Sequence, residues 1–483
     1  MCYAVILAFV LLLSTAGSSP RQDGPQIYYL STAGDDENEG AFDTPFRTFA
    51  HALGQLAPGD ELRVYPGTYV ERVRIQAQGT ADAPITIRTV EGRVIIEHHD
   101  TPLRVTGAHL VLEDFEITGS ADYCADIQGQ DVVVRRFFVH NCHDHGILVR
   151  GQQVRVENST ITNTVLENAN QQAAGGWGSG LKLMVGAEDV VLAGNTVYEN
   201  WGEGIAATRA RRVRIEQNRL YDNFSVNLYI DNSSEVVAER NFITCSEGSP
   251  FARPDKPASG IAFGEEVYED WGAQLSHITV VNNIVAYCGY GIANYHSEVG
   301  GGLRHALIAH NTLWGGKATA LSMLHDPALE DVLIANNIVH QPQGQVAWLE
   351  DPAGFTLTHN FWVGEKPPAW REIVGENDLW GDVQFETAPG MTPETFRLGP
   401  NSRAIDSALP LAGTAHDFEG NPRQTEENPL PDMGAIEAPV TQPAVAGKPP
   451  FICRVLPFLP LCRMSSEGGL TPAAAGLVSQ SAR

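Results

Sequence analysis

One phrase, a short alternating apolar segment that runs into an asparagine, recurs along the middle of the chain. It appears as VRVENSTIT, VVLAGNTVY, VRIEQNRLY, VVAERNFIT, VVNNIVA, ALIAHNTLW, VLIANNIVH and FTLTHNFWV. The phrase places Asn158, Asn195, Asn218, Asn241, Asn283, Asn311, Asn337 and Asn360 in one register, which extends upstream to Asp114 and Arg136. The steps between these positions are 22, 22, 37, 23, 23, 42, 28, 26 and 23 residues. A period near 22 built on β-branched segments implies a solenoid whose rungs stack strand on strand. An asparagine at a fixed corner suits this, because it tolerates the left-handed conformation and stacked copies can bond to one another and to the turn backbone.

The two long steps, 37 and 42 residues, are excursions of about 15 and 20 residues from an otherwise regular scaffold. Long loops on a rigid frame are where function concentrates. The first holds ENANQQAAGGWGSG with Trp177; the second holds CSEGSPFARPDKPAS before a strand and GEEVYEDWG after it.

Between them the strands read GILVR, GLKLM, GIAAT, NLYID, GIAFG and GIANY. Alternation points Ile147, Leu181, Ile205, Leu228, Ile261 and Ile292 inward. The outward column is then Leu148, Lys182, Ala206, Tyr229, Ala262 and Ala293. A second outward set, two residues on, is Arg150, Met184, Thr208, Asp231, Gly264 and Tyr295. Small residues beside Lys182 and Tyr229 predict a shallow groove across the rungs.

Charged and aromatic residues cluster on this face, as a sugar chain requires. Lys182, Tyr229 and His145 are the candidate acid–base groups. Trp177, Trp201, Arg150, Arg209 and Tyr295 are candidate substrate contacts. Glu203 and Asp231 are hard oxygen donors that could hold Ca²⁺. The ordinary alternatives are a solvated strand lysine, an outward strand tyrosine, a packing tryptophan and surface carboxylates. The segment GEEVYED reads first as a solvated loop. No HExxH spacing, phosphate loop or GxSxG elbow is present.

With 58 Asp+Glu against 32 Lys+Arg, the net charge of -26 argues against a nucleic-acid partner, which would need a basic face. An apolar run at residues 4–13 followed by Ser14-Thr15-Ala16 predicts a signal peptide over 1–16 and a secreted, non-membrane protein. Six cysteines remain after Cys2 is removed, and an exported chain permits disulfides. Cys245 and Cys288 follow their ladder asparagines by four and five residues on consecutive rungs and are candidate neighbours. Cys453 and Cys462 are expected to close a small loop; Cys124 and Cys142 are equally well read as free thiols.

The run TPFRTFAHALGQLAPGD predicts a short amphipathic helix, N-capped by Thr44 with Pro45 at its first position. Here a family resemblance enters. PFRTFAHALGQLAPGDELRVYPGTYVERVRI resembles the N-terminal cap of secreted right-handed parallel β-helix proteins, a fold shared with pectate and chondroitin lyases and alginate epimerases. NSRAIDSA and DFEGNPRQTEENPLPDMGAIEA are similar to their closing segments. The resemblance implies an all-β, single-stranded right-handed parallel β-helix with an N-terminal helix cap. Its divisions are a cap and first rungs at 26–100, repeats at 101–365, a closing segment at 366–438 and a disordered tail at 439–483. It departs from the epimerases, since Asp326-Pro327 and Asp351-Pro352 lack a following histidine, and the clustered calcium aspartates of several pectate lyases are not evident.

The leading expectation is a monomeric, secreted polysaccharide lyase cleaving a uronic-acid polymer by β-elimination in a groove on the helix face. A non-catalytic glycan-binding or scaffold protein and a glycoside hydrolase are the alternatives.

Overall fold

The alternating segments fold as expected into strands, and every rung repeats one circuit. A computed structural model describes residues 24–172, 176, 178–253, 256–269, 271–366, 375–425 and 429–439. A representative turn passes through Arg211–Glu216, Arg219–Tyr221 and Val226–Asp231 before returning at Ser234–Glu239. Stacking these turns produces three sheets. Sheet 1 has 13 strands, from Ile27–Leu30 to Phe355–Thr358. Sheet 2 has 11, from Val73–Ile75 to Ala347–Leu349, and sheet 3 has 13, from Gly67–Tyr69 to Leu379–Trp380. Strands pair in parallel with the previous and next turn, so each backbone finds its partners in neighbouring rungs.

Inward side chains stack in columns. In sheet 1, Val190, Val213, Val236 and Ile278 lie in register and are buried. Such branched residues fit the pleat and fill a core from which water is excluded.

The asparagine ladder sits at the corner between sheets 1 and 3. Asn195 Oδ1 accepts the Ser159 N–H (3.0 Å), and Asn218 Oδ1 accepts from both Asn195 N (2.9 Å) and Asn195 Nδ2 (3.0 Å). The pattern continues through Asn241, Asn283, Asn311 and Asn337 to Asn360, whose own N–H donates to Asp378 Oδ1 at 2.8 Å. Each Nδ2 also donates to a carbonyl of the rung before, as Asn195 does to Val156 O at 2.8 Å.

Two details of the sequence reading are corrected. The left-handed residue is the one before the ladder position: Gly194, Gln217, Arg240 and Asn282 have φ of 66, 56, 56 and 58°. Asn158 (φ 49°), with Asp114 and Arg136, occupies that preceding position, and Ser159 holds the ladder place. The first long step is therefore 36 residues, from Ser159 to Asn195. A second ladder was not anticipated. At the turn from sheet 3 to sheet 2, Asn200 Oδ1 accepts from Thr164 N (3.1 Å), and Asn200 Nδ2 donates to Asn223 Oδ1 (2.8 Å).

Cys245–Cys288 is a disulfide between consecutive rungs, as the register implied, and Cys124–Cys142 is a second. Cys453, Cys462, the signal segment and the tail lie outside the described residues. The predicted capping helix is reduced to one turn, Phe49–Leu53, N-capped by Thr48 rather than Thr44, because Phe46 is held in a parallel bridge to Leu30. A helix of this length does not support the expected end cap, and the described residues contain almost no other helix. None is long and apolar enough to cross a membrane.

The closing segment packs on the outer face of sheet 3, with Phe396, Ala435 and Ile436 against Phe242, Ile284 and Ala286. Arg423, 1% exposed at its side chain, pairs with Glu437 and donates to Asn282 Oδ1 at 2.8 Å.

Candidate active site

Sheet 2 carries the outward column in register: Leu148, Lys182, Ala206, Tyr229, Ala262 and Ala293 pair rung to rung, as do Thr208, Asp231 and Gly264. Their inward neighbours Ile147, Leu181, Ile205, Leu228, Ile261 and Ile292 are fully buried. Above this face lies a pocket of about 600 Å³. Its lining includes His145, Lys182, Glu203, Arg209, Tyr229 and Tyr295. The expected shallow groove is corrected, because Ala206 and Ala262 are 0% exposed and Ala293 is 2% exposed: neighbouring side chains and loops cover the small residues.

Lys182 and Glu203 form the centre of the floor. Lys182 Nζ lies 3.5 Å from Glu203 Oε2, and the two side chains are only 12% and 10% exposed. Ser179 Oγ donates to the same Oε2 at 2.7 Å. Burial pushes the Glu203 carboxyl above its ordinary range, against the pull of Lys182 and Ser179. The Glu203 strand follows Gly202, and Gly204 within it packs so closely on the next rung that a Cβ would lie 2.4 Å from Asn227 O.

His145 stands one rung earlier. The Ser179 N–H donates to its Nδ1 at 2.9 Å, which leaves the proton of the neutral ring on Nε2. Burial, then the charges of Lys182 and Arg150, push the imidazole down to about 3. His145 is thus a neutral hydrogen-bond donor with no free lone pair. Among the acid–base candidates it can therefore offer only its Nε2 proton.

Tyr229, Asp231, Glu266 and Tyr268 form one network. Tyr229 OH donates to Glu266 Oε1 (2.9 Å) and Tyr268 OH to Asp231 Oδ2 (2.6 Å), while Glu266 N donates to Asp231 Oδ1 (3.2 Å). Burial and the adjacent carboxylates hold both tyrosines as phenols. Burial raises the Asp231 carboxyl to about 7. Gly264 makes room for this network, since a Cβ there would lie 2.2 Å from Tyr229 OH.

The guanidinium of Arg209 lies 4.2 Å from the Tyr268 ring centroid, a cation–π contact. Among the described residues, its Nε and the Oγ1 of Thr208, a residue only 1% exposed, find no hydrogen-bond partner. Both residues line the pocket. Buried polar atoms without partners are uncommon and mark places a ligand can complete.

Two proposed contacts stand elsewhere. Arg150 Nη2 pairs with the fully buried Asp126 at 2.6 Å and is not in the pocket lining. Trp201 packs on Phe251 with ring centroids 4.4 Å apart, a wall contact rather than a sugar platform. Trp177 lies outside the described residues.

The calcium assignment of Glu203 and Asp231 is also corrected on its donor set. Ca²⁺ takes roughly six to eight oxygen ligands. Both Asp231 oxygens already accept protein hydrogen bonds, and Glu203 is engaged by Ser179 and Lys182. Among the described residues no group of three or more His, Cys, Asp or Glu could hold a metal ion. These residues do not fit calcium, and no step is derived through it.

The sequence reading overlooked Arg253 and Lys256, which come from the second excursion, and treated Glu266 and Tyr268 as solvated. Lys256 Nζ lies 5.5 Å from the Tyr295 ring centroid. A clue was present: both residues sit in the long step, and two cations in a strongly acidic chain are conspicuous.

Residues 28–234 match the family described as Pel9A-like, right handed beta helix region. The chain is 25% identical over 362 residues, 64% of its length and 72% of the relative's, to the Uncharacterized protein YwoF of Bacillus subtilis (strain 168). It is 34% identical over 77 residues to Pectate lyase PEL9 of Emericella nidulans, a match spanning 15% of this chain and 19% of that enzyme. A solved complex of XylC with xylose shares the fold, with a TM-score of 0.52 at 12% identity, covering 85% of this chain and 99% of that one. The shared fold and the family match over residues 28–234 agree with a right-handed parallel β-helix.

Proposed function

We propose that the protein is a secreted lyase that cleaves a uronic-acid polysaccharide by β-elimination, with Lys182 as the base. The observation that carries this reading is the Lys182–Glu203 pair, enclosed on the pocket floor at 3.5 Å. β-Elimination needs a base at C5, cationic partners for the uronate carboxylate and a proton for the departing O4. Burial makes the Glu203 carboxyl a better proton acceptor than usual, which reduces the cost of moving the Lys182 proton onto it. The freed amine takes the C5 proton, the C4–O4 bond breaks, and a 4,5 double bond forms. The proton held on Glu203 passes to the departing O4, directly or by relay through the Tyr229 phenol, which restores the Lys182–Glu203 pair. Arg209, Arg253 and Lys256 line the same pocket and offer charge to the carboxylate, which favours the developing negative charge.

The pectate-lyase match in sequence supports the reaction class. Hydrolysis by Glu203 and Asp231 is disfavoured, since Asp231 is 0% exposed and lies behind Tyr268 and Glu266. The test is a panel of uronic-acid polymers followed by ultraviolet absorbance of the unsaturated product. We expect signal with the wild-type chain and none with Lys182→Ala. Full activity of Lys182→Ala would sink the assignment of the base, and reducing sugar released without absorbance would sink the lyase reading.

A further inference from the structure

We infer that this site is a blind pocket that takes the end of an acidic polysaccharide and does not admit its interior. The inference rests on the pocket being the polysaccharide site, and it concerns which part of the chain enters. A polymer gripped at an internal unit must leave the site in two directions. On a β-helix those exits run along the axis, over earlier and later rungs, or across the two edges of the sheet. Among the described residues, both edges and the axial direction toward the C-terminal rungs are obstructed.

The edge toward sheet 3 is walled by the two excursions, which touch each other. Gln171 Nε2, on the first, donates to Pro250 O on the second at 3.0 Å. Phe251 then rests on Trp201, and the Cys245–Cys288 disulfide fixes the base of the second excursion to the next rung. The edge toward sheet 1 is walled by the segment after Gly264. Glu266 and Tyr268 fold back over Asp231, and Trp271 Nε1 donates to Asn232 O at 3.1 Å.

The axial direction toward the C-terminal rungs is closed by the floor's own neighbours. Toward the C-terminal rungs, Tyr295 packs with Tyr229, Ala262 and Val226, its ring centroid 6.1 Å from that of Tyr229. Ser259 Oγ holds its hydroxyl at 3.2 Å, and Lys256 reaches over its ring from the opposite wall. Ala262 beneath has no exposed surface although its side chain belongs to the outward column. Toward the N-terminal rungs, Leu148 is one rung before Lys182 in the same column and is 2% exposed. That burial does not by itself mark a wall, since Ala206 on the pocket floor is 0% exposed as well. What remains is a mouth on one side, facing away from the sheet and toward the earlier rungs, with a closed end at Tyr295.

A blind pocket makes chain ends the effective ligand. The experiment uses the full chain with polygalacturonate and alginate, each intact and shortened about tenfold, at equal uronate mass. Binding to Lys182→Ala is measured by calorimetry, and turnover of the wild-type chain by product size and viscosity. For the polymer that binds, the shortened form should bind roughly tenfold better per unit mass. Its turnover should release one small unsaturated product while viscosity falls slowly. Phe251→Ala, which loosens the wall, should shift the products toward mixed lengths. Unsaturated product with a rapid viscosity loss, a broad oligomer ladder and binding that follows mass would overturn the blind pocket and leave the lyase reading intact. Binding that follows chain ends with no unsaturated product would do the reverse. No binding of either polymer in either form counts against both.

Discussion

The two faces of one rung solve the same problem in opposite ways. At the corner between sheets 1 and 3, Asn218 Oδ1 and Nδ2 are satisfied entirely by the adjacent rungs, and the same bonds recur at Asn241 and Asn283. Across the same turns, on sheet 2, Lys182, Glu203, Tyr229 and Asp231 have no repeating partners. They are satisfied by residues that occur once, such as Ser179, Glu266 and Tyr268. The ladder carries no net charge and leaves nothing open. The pocket leaves Thr208 Oγ1 and Arg209 Nε without hydrogen-bond partners among the described residues. Periodicity therefore marks stacking, and its loss marks the face on which the pocket forms.

The largest expected effect separates the two faces most sharply. Removing the base by Lys182→Ala should lower kcat by at least about 10²-fold, while urea unfolding of the variant remains cooperative. Lys182→Arg should be similarly inactive, because it keeps the charge without offering a base near neutral pH.

Next comes pH. Burial raises the Asp231 carboxyl from 3.8 to about 7, so the native chain holds a proton that the unfolded chain releases. Stability from this group is fully present below about pH 4 and is lost as pH rises to about 7. The difference approaches about 4 kcal/mol at roughly 1.36 kcal/mol per pH unit. Thermal unfolding of Asp231→Asn should show a weaker decline between pH 4 and 7 than the wild-type chain. An unchanged slope would remove Asp231 as its source.

A break in the ladder should register on stability alone. Asn241→Ala leaves the Asn218 N–H and Nδ2 without their acceptor, at a cost of about 1–3 kcal/mol. Denaturant midpoints should fall while kcat per folded molecule stays put. The smallest effect belongs to Gly264→Ala. Its Cβ would meet Tyr229 OH and displace the phenol, costing on the order of 1 kcal/mol of transition-state binding, or about fivefold in kcat/KM. Activity equal to wild type would show that the phenol does not serve the reaction.

Much of the scaffold was legible because its signals are local and repeated. Alternation fixed which side of each sheet 2 strand faces out, and the pairing of Lys182 with Ala206 and Tyr229 follows from it. The register was readable to within one residue. VENST offers two adjacent polar residues, and only the rung stacking decides that Ser159 takes the ladder place and Asn158 the left-handed turn.

The pocket was half legible. Its floor lies on strands, where side-chain direction follows from position. Its walls lie on excursions, where direction depends on tertiary contacts that no short pattern encodes. Glu266 and Tyr268 looked solvated because nothing in GEEVYED announces that their partners Asp231 and Tyr229 wait 35 to 37 residues upstream. Arg150 and Trp201 had the right chemistry at plausible positions, and partners specific to this fold, Asp126 and Phe251, claimed them instead.

The ladder bond from Asn241 to Asn283 is 2.9 Å long across a step of 42 residues, and the bond from Asn195 to Asn218 is 2.9 Å across a step of 23. The frame is blind to what its loops contain. New segments could be inserted at this corner, lengthened or exchanged between relatives while the rungs above and below keep their places. A scaffold with that property lets specificity change by replacement of a removable part, leaving the core sequence free to drift slowly.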